Sequence, residues 1–323
     1  FADGVDAQAV LADAAAVAET GGAGIAGAGD DLGEAVALAF LFFVVHVGFR
    51  LKGRIILSAR RQTAIAMPKF AANLSFLFAD APFPDRFARA AKAGFAGVEY
   101  LFPYDWPAHD IADWLAAAGV EQVLFNLPPG DWAAGERGLA CLPHRQGEFA
   151  EGVERALDYA MVLDCERVHC MAGLRPAGHD EGELEATWVA NLRHAADRLA
   201  TAGVTVTIEP INSRIDMPGY WLDDVGKAIR LLEAVDRGNV KLQLDLYHAQ
   251  IIQGDLARTI EAHLPQIGHI QVADNPGRHE PGTGEIHYPY LFALLDRLGY
   301  AGWVGCEYKP LGNTEAGLGW LPK

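Results

Sequence analysis

Short runs of β-branched and aromatic residues alternate with longer amphipathic segments along most of this chain. The apolar runs predict eight strands, at 70–74, 98–102, 123–127, 167–171, 204–209, 240–246, 269–273 and 303–308. Helical periodicity lies between them, at 84–93, 111–118, 148–163, 184–202, 222–235, 255–263 and 290–298. Strands separated by helices pair in parallel through right-handed crossovers, so this order predicts an α/β fold, a (β/α)8 TIM barrel. An open, doubly wound sheet is the alternative.

The first 66 residues lack this alternation, and the first methionine of the chain is Met67. Residues 1–34 are rich in Ala, Gly and Asp, whereas 35–48 are uncharged and mostly apolar. The apolar stretch is short for a membrane span, which needs about 20 residues. A G-x-G-x-x-G match at 22–27 follows a helix-like segment instead of the strand that a dinucleotide site requires.

We therefore divide the chain into an atypical N-terminal extension at 1–66 and a TIM-barrel domain at 67–323. Translation upstream of a true start at Met67 is the favoured origin of the extension, which would then not belong to the native protein. A buried or surface-packed helix at 35–48 is the other interpretation.

Composition narrows the class of protein. The chain has 323 residues, 51% of them hydrophobic, which is enough for one barrel of about 250 residues plus extensions. Its net charge of −16 argues against a nucleic-acid partner, because such proteins carry basic surfaces. The four cysteines form no C-x-x-C pair, which favours free thiols and a cytoplasmic protein. We expect no membrane partner; the sequence leaves a homo-oligomer open.

Four of the predicted strands end in a residue with an oxygen ligand for a metal ion: Glu209, Asp245, Gln271 and Glu307. The carboxyl ends of barrel strands converge at one mouth, where barrel enzymes have their active sites. An all-oxygen ligand set suits hard cations, so we expect a divalent metal, Mg²⁺ or Mn²⁺. The alternative for each residue is an ion pair at the rim or a cap on the next helix.

Such a site suits chemistry on an α-hydroxycarbonyl compound. A divalent cation stabilises the charge of an enediolate, and flanking carboxylates move the proton. Glu209 and Glu307 come from opposite sides of the ligand row and are the candidate catalytic acid and base. The sequence does not distinguish which of them removes the proton.

Further residues near the predicted strand ends are candidates for binding a substrate. His248 follows the sixth strand, His169 ends the fourth, and Asn73 and Asn126 end the first and third. A substrate carboxylate requires a cation, for which the candidates are Arg278, Lys309 and Arg214. The long loops at 126–138 and 274–285 are interpreted as ordered parts of the site.

Several strings of residues resemble one known family. They are FAANLS at 70–75, NLPPGDWAAGERG at 126–138, IEPIN at 208–212, HIQVADNPGRHEPGTGE at 269–285 and CEYKP at 306–310. In these strings the chain resembles the hydroxypyruvate isomerase family of the xylose-isomerase-like barrel superfamily. The resemblance implies a TIM barrel that interconverts hydroxypyruvate and tartronate semialdehyde in glyoxylate metabolism.

The resemblance also implies roles for individual residues. Glu209 and Glu307 match the family's acid-base pair, and Asp245 and Gln271 match the remaining metal ligands. Related sugar epimerases carry His where this chain has Gln271, which favours the isomerase branch. A sister branch acts on 2-oxo-tetronates and is the alternative. A metal-dependent nuclease and a non-catalytic sugar-acid binding protein are the alternatives outside this reaction class.

Overall fold

The computed structural model describes residues 68–321. The predicted extension at 1–66, with its glycine motif at 22–27 and its apolar stretch at 35–48, lies outside the described residues. Among the helices that are described, none combines the length and the apolar character needed to cross a membrane.

Eight parallel strands close into a barrel in their sequence order, so the predicted TIM barrel is confirmed and the open sheet is wrong. All eight predicted runs contain a strand. The strands are β1 (Lys69–Asn73), β2 (Gly97–Glu99), β3 (Glu121–Asn126), β4 (Arg167–His169), β5 (Thr205–Ile208), β6 (Val240–Asp245), β7 (Ile267–Val272) and β8 (Trp303–Cys306).

Helices surround the barrel and follow the predicted periodicity. They are α1 (Phe83–Lys92), α2 (Ala108–Ala118), α3 (Gln146–Val162), α4 (Glu181–Ala200), α5 (Val225–Val235), α6 (Leu246–Ile252), α7 (Leu256–His263) and α8 (Tyr288–Arg297). Helix α5 begins later than predicted because Asp224 is its N-cap and accepts a hydrogen bond from Lys227 N at 2.7 Å. Helix α6 was not predicted, because its seven residues continue the apolar run of β6 without a break.

Most of the core lies between the strands and the helices. Trp188 of α4 is completely buried there. The interior of the barrel is different near the carboxyl ends of the strands, where buried residues are polar. Asn73, Glu99, Gln243 and His269 are each at most 1% exposed. Buried polar groups require hydrogen-bond partners, so this end of the barrel must contain a connected polar network.

Candidate active site

A cavity of about 230 Å³ opens at the carboxyl ends of the strands. Its lining includes most of the polar residues predicted from the strand ends and two residues of the loop after β3. The polar and aromatic lining residues are Phe76, Asn126, Trp132, Arg137, His169, Glu209, Asp216, His248, Arg278, Glu307 and Lys309. This position is where TIM barrels have their active sites.

Glu209, Asp245 and His248 form a group that can hold a metal ion, with one potential ligand atom of each within 4.8 Å of the others. Asp245 reaches this position because it ends β6 and caps α6 at once. Its Oδ1 accepts hydrogen bonds from the backbone N–H of Tyr247 at 2.7 Å and of His248 at 3.2 Å. The remaining oxygen, Oδ2, and Glu209 Oε1 have no hydrogen-bond partner among the described residues. Two buried, unpartnered carboxylate oxygens fit a cation.

The two glutamates lie in an environment that favours their protonated forms. Burial, and next the repulsion from Glu307 and Asp245, raises the pKa of Glu209 well above its ordinary value. Burial likewise raises the pKa of Glu307, although the guanidinium of Arg278 opposes this shift. A raised pKa near neutrality suits a group that must both accept and release a proton.

His248 has a defined hydrogen-bonding state. Asn212 Oδ1 accepts from the backbone N–H of Ile215 at 2.9 Å and of Asp216 at 3.1 Å, which fixes the orientation of its amide. The amide nitrogen then donates to Asp216 Oδ2 and to His248 Nδ1, both at 2.7 Å. Burial lowers the pKa of His248 to about 4, so the ring is neutral near pH 7. Because Nδ1 accepts, the hydrogen of the neutral ring lies on Nε2, the atom nearer to Glu209 and Asp245.

Glu307 is held from both sides. Arg278 donates to Glu307 Oε1 at 2.6 Å and to Asp216 Oδ1 at 2.9 Å. The other oxygen, Glu307 Oε2, accepts from Asn73 at 3.0 Å and from Gln271 at 2.7 Å. Asn73 therefore supports a catalytic candidate and does not line the cavity itself.

Gln271 uses its whole amide within this network. Its Oε1 accepts from Gln243 Nε2 at 2.7 Å, and its Nε2 donates to Glu307 and, at 2.8 Å, to Glu99. In this arrangement Gln271 and Glu307 bind each other, whereas the free oxygens belong to Glu209 and Asp245. The four-residue ligand set inferred from the strand ends stays a prediction.

The predicted cations occupy different positions. Lys309 is exposed and lines the cavity, and no carboxylate within residues 68–321 lies within ion-pair distance of it. Arg278 also lines the cavity but is bound to two carboxylates. Arg214 instead donates to the backbone oxygen of Ile251 at 2.8 Å and is absent from the lining. His169 lies beside the glutamates, with its Nε2 atom 3.6 Å from Glu209 Oε2.

The residue-based reasoning missed several parts of the site, among them Asp216, which lines the cavity and pairs with Arg278. Arg137 lies over the ring of Trp132, with 4.0 Å from the guanidinium carbon to the ring centroid, and both line the cavity. Only the length and composition of their loop pointed to them. Glu99 is the last residue of β2, within the predicted run at 98–102, and is completely buried, bonded to Asn73, His269 and Gln271. An acidic residue inside an apolar strand run is itself a signal, because such residues are buried only when they are paired.

Comparisons with known proteins agree with this fold. A family profile described as xylose isomerase-like TIM barrel matches residues 87–323. The 2-oxo-tetronate isomerase of Cupriavidus necator is 53% identical over 257 residues, which are 79% of this chain and 98% of that protein. The hydroxypyruvate isomerase of Escherichia coli is 48% identical over 255 residues, again 79% and 98% of the two chains. A crystal structure described as AP endonuclease, family 2, from Brucella melitensis is 54% identical, with a TM-score of 0.77 over 79% and 98% of the chains.

Proposed function

The chain belongs to the hydroxypyruvate isomerase family of xylose isomerase-like TIM barrels and is an isomerase, and we propose that it interconverts hydroxypyruvate and tartronate semialdehyde. The observation that carries this proposal is the pair of buried glutamates, Glu209 and Glu307, at one cavity. Burial raises the pKa of both carboxyl groups, that of Glu307 to about 8, and a raised pKa favours a group that both accepts and releases a proton.

The proposed reaction moves one hydrogen between adjacent carbons. One glutamate takes a proton from C3 of hydroxypyruvate, and the bonding electrons form the C2–C3 double bond of an enediolate. The other glutamate delivers a proton to C2, while the hydroxyl proton passes from the C3 oxygen to the C2 oxygen. The C3 oxygen becomes the aldehyde, so the atoms balance without an oxidant. The roles of Glu209 and Glu307 exchange when the reaction runs backwards.

Other residues bind the substrate in this proposal. His248 offers its Nε2–H to a substrate oxygen, because Asn212 occupies Nδ1. Lys309 and Arg137 bring positive charge to the open side of the cavity, where they can bind the substrate carboxylate. His169, which burial keeps neutral by lowering its pKa to about 3, lies on the Glu209 side. Arg278 is paired with Glu307 and Asp216, so it holds Glu307 in place and its own positive charge is less available to the substrate.

We propose that Glu209 and Asp245 hold a divalent cation, Mn²⁺ or Mg²⁺. Within residues 68–321 the oxygens Glu209 Oε1 and Asp245 Oδ2 have no hydrogen-bond partner, which supports this assignment. When bound, the cation would supply Lewis-acid stabilisation of negative charge on the substrate oxygens. Carboxylate ligands suit both ions.

A solvent-exchange experiment tests the reaction class. The protein is incubated with hydroxypyruvate in D₂O with added Mn²⁺ or Mg²⁺, and the products are followed by NMR. We expect tartronate semialdehyde, with deuterium entering at C2 of the product and at C3 of recovered hydroxypyruvate. A protein that binds the acid and gives neither product nor exchange is a binding protein and not this isomerase.

Replacing Glu307 by Gln tests the catalytic assignment. The amide keeps the shape of the side chain but cannot accept the proton, so we expect kcat to fall about 10²–10⁴-fold. Glu280→Gln is the matched control, since Glu280 is also buried, accepts a backbone hydrogen bond from Leu311 and lies outside the cavity lining. Near-normal kcat in Glu307→Gln, with a folded protein, contradicts the assignment.

A 2-oxo-tetronate is the second candidate substrate. It is favoured by the 53% identity to a 2-oxo-tetronate isomerase, against 48% to the E. coli hydroxypyruvate isomerase. The two acids share the reacting carbons and differ by one hydroxymethylene group. Measuring kcat/KM for both with the same preparation decides between them, and the larger value identifies the substrate.

A nuclease is the rival that the Brucella structure raises by its description. The net charge of −16 disfavours DNA binding, because binding gains most of its energy from contacts with phosphates. We expect no cleavage of a duplex that contains an abasic site, under the metal conditions that support isomerisation. Cleavage that is lost in Glu209→Gln would overturn the isomerase proposal.

We also propose a cytoplasmic location and a role in glyoxylate metabolism. All four cysteines are free and buried, which suits a reducing compartment. Cell fractionation followed by immunoblotting tests the location, and the consumption of hydroxypyruvate in extracts with and without the protein tests the metabolic role.

A further inference from the structure

Glu99 is a buried acid that the proposed reaction does not use. It belongs to β2, is completely buried and is absent from the cavity lining. Its Oε1 accepts from Asn73 at 3.0 Å and from Gln271 at 2.8 Å, and its Oε2 lies 2.7 Å from His269 Nε2. These contacts join β2 to β1 and β7 across the interior of the barrel.

Two amides connect Glu99 to Glu307. The Asn73 nitrogen donates to Glu99 Oε1 and to Glu307 Oε2, each at 3.0 Å. The Gln271 nitrogen donates to the same two oxygens, at 2.8 and 2.7 Å. Each NH₂ group has two hydrogens, so both amides use all of them to bridge the two carboxylates.

The orientation of each amide is fixed at its oxygen as well. Asn73 Oδ1 accepts from the backbone N–H of Ser75 at 3.1 Å, and Gln271 Oε1 accepts from Gln243. Turning either amide would place its oxygen against Glu99 and Glu307 and lose these donors. Glu99 Oε1 accepts the second hydrogen of each NH₂ group, so it holds both amides from the nitrogen side while Glu307 Oε2 takes the first hydrogen.

A glycine provides the space for this arrangement. A Cβ atom on Gly305 of β8 would lie 2.3 Å from both carboxylate oxygens of Glu99. Gly305 is the register partner of Gln271 on β7 and of Ala71 on β1. The side chain of Glu99 thus extends past β1 into a gap that only glycine leaves open.

We propose that Glu99 is a positioning residue, which holds the amides of Asn73 and Gln271 so that both donate to Glu307 Oε2. Glu307 Oε1 then stays directed to Arg278 at the cavity. This inference rests on the proposed function, because it assigns Glu99 to the orientation of the catalytic Glu307. The requirement is for a hydrogen-bond acceptor at Oε1 and not for the negative charge of Glu99.

Two substitutions at one position test this requirement. Glu99→Met removes both acceptor oxygens at similar size, and we expect kcat to fall about 10–100-fold with KM within about threefold. Glu99→Gln can keep an oxygen toward the amides and turn its NH₂ toward His269, so we expect it to recover most of the lost kcat. Gln122→Leu is the control, since it removes a buried polar group of β3 that donates to Leu124 O. We expect its kcat to be unchanged.

Gly305→Ala provides a second route if Glu99→Met does not fold. The added methyl group displaces the Glu99 carboxylate, and we expect the same loss of kcat. Wild-type kcat in Glu99→Met or Gly305→Ala overturns the proposal. A loss in Glu99→Gln equal to that in Glu99→Met also overturns it, because the charge would then matter.

Crystal structures of the two Glu99 variants separate this inference from the proposed function. We expect both amide nitrogens within about 3.2 Å of Glu307 Oε2 in Glu99→Gln and at least one turned away in Glu99→Met. Unchanged amides in Glu99→Met overturn the positioning role. A wild-type protein without isomerase activity refutes the proposed function alone, because the amide geometry is read without a substrate.

Discussion

At the scale of single residues, Asn212 determines which ring nitrogen of His248 carries the hydrogen. Its amide oxygen is bound by two backbone N–H groups, so its nitrogen must face His248 Nδ1. A neutral imidazole that accepts at Nδ1 donates at Nε2. In the proposed function His248 is therefore a hydrogen-bond donor toward the substrate, and its position beside Glu209 and Asp245 also fits a metal ligand.

Replacing Asn212 by Ala should release the imidazole from this tautomer. We expect kcat/KM to fall about 10-fold or more, because a catalytic site with the wrong tautomer loses its donor. Asn239→Ala is the control, since the Asn239 amide donates to Ala196 O and Val204 O away from the cavity. ¹⁵N NMR of labelled histidine reads the tautomer directly. A hydrogen on Nδ1 of His248 in the wild-type protein would show that the assignment is wrong.

At the scale of structural elements, the loop after β3 forms one unit. Glu136 closes it, because its Oε2 accepts from Asp131 N at 2.6 Å and its Oε1 accepts from Arg145 at 2.6 Å. This closure places Trp132 and Arg137 on the cavity. Gly130 has a φ of +83° at this point, and a Cβ there would lie 2.1 Å from Glu136 Oε2.

Two glycines in this loop provide a matched test. Gly130→Ala would displace Glu136 and so move Trp132 and Arg137, and we expect KM to rise about 10-fold. The positive φ at this position should separately lower the free energy of unfolding by about 1–2 kcal/mol. Gly135 also has a positive φ, +95°, but a Cβ atom added there would lie more than 4 Å from every neighbour in the described barrel, so Gly135→Ala shows the strain alone. Steady-state kinetics and thermal unfolding of both variants measure the difference. Equal KM values in the two variants would argue against the role of Glu136.

The buried titratable groups link the site to the stability of the whole molecule. The pKa of Glu307 is raised from 4.5 to about 8 by burial, so the folded protein binds more protons than the unfolded chain between these values. Its contribution to stability is therefore lost as the pH rises through 8. His169 and His248 act in the opposite sense, since their pKa values fall from 6.5 to about 3 and about 4. Their contribution to the free energy of unfolding grows as the pH rises and is complete above pH 6.5.

Metal-free protein should accordingly become less stable between pH 6.5 and 8.5. We expect the free energy of unfolding to fall by up to about 1.4 kcal/mol per pH unit for each glutamate that titrates. Urea unfolding in EDTA at several pH values measures this slope, and Glu307→Gln should make it shallower. Added Mn²⁺ should also flatten it, because a cation favours the ionised carboxylates. The same slope in Glu307→Gln would exclude Glu307 as its source.

The sequence by itself determined the barrel and the rim positions of the site. Its periodicity predicted all eight strands, because each strand is a local apolar run, and residues at the carboxyl ends of parallel strands must converge. Only the tertiary structure decided which atoms remain free. Gln271 is bound by Gln243, Glu99 and Glu307, from three other strands or their ends, whereas Glu209 and Asp245 each keep an oxygen that no residue in the described part of the chain binds. Hydrogen bonds across a closed barrel join residues far apart in the chain, so no local pattern records them.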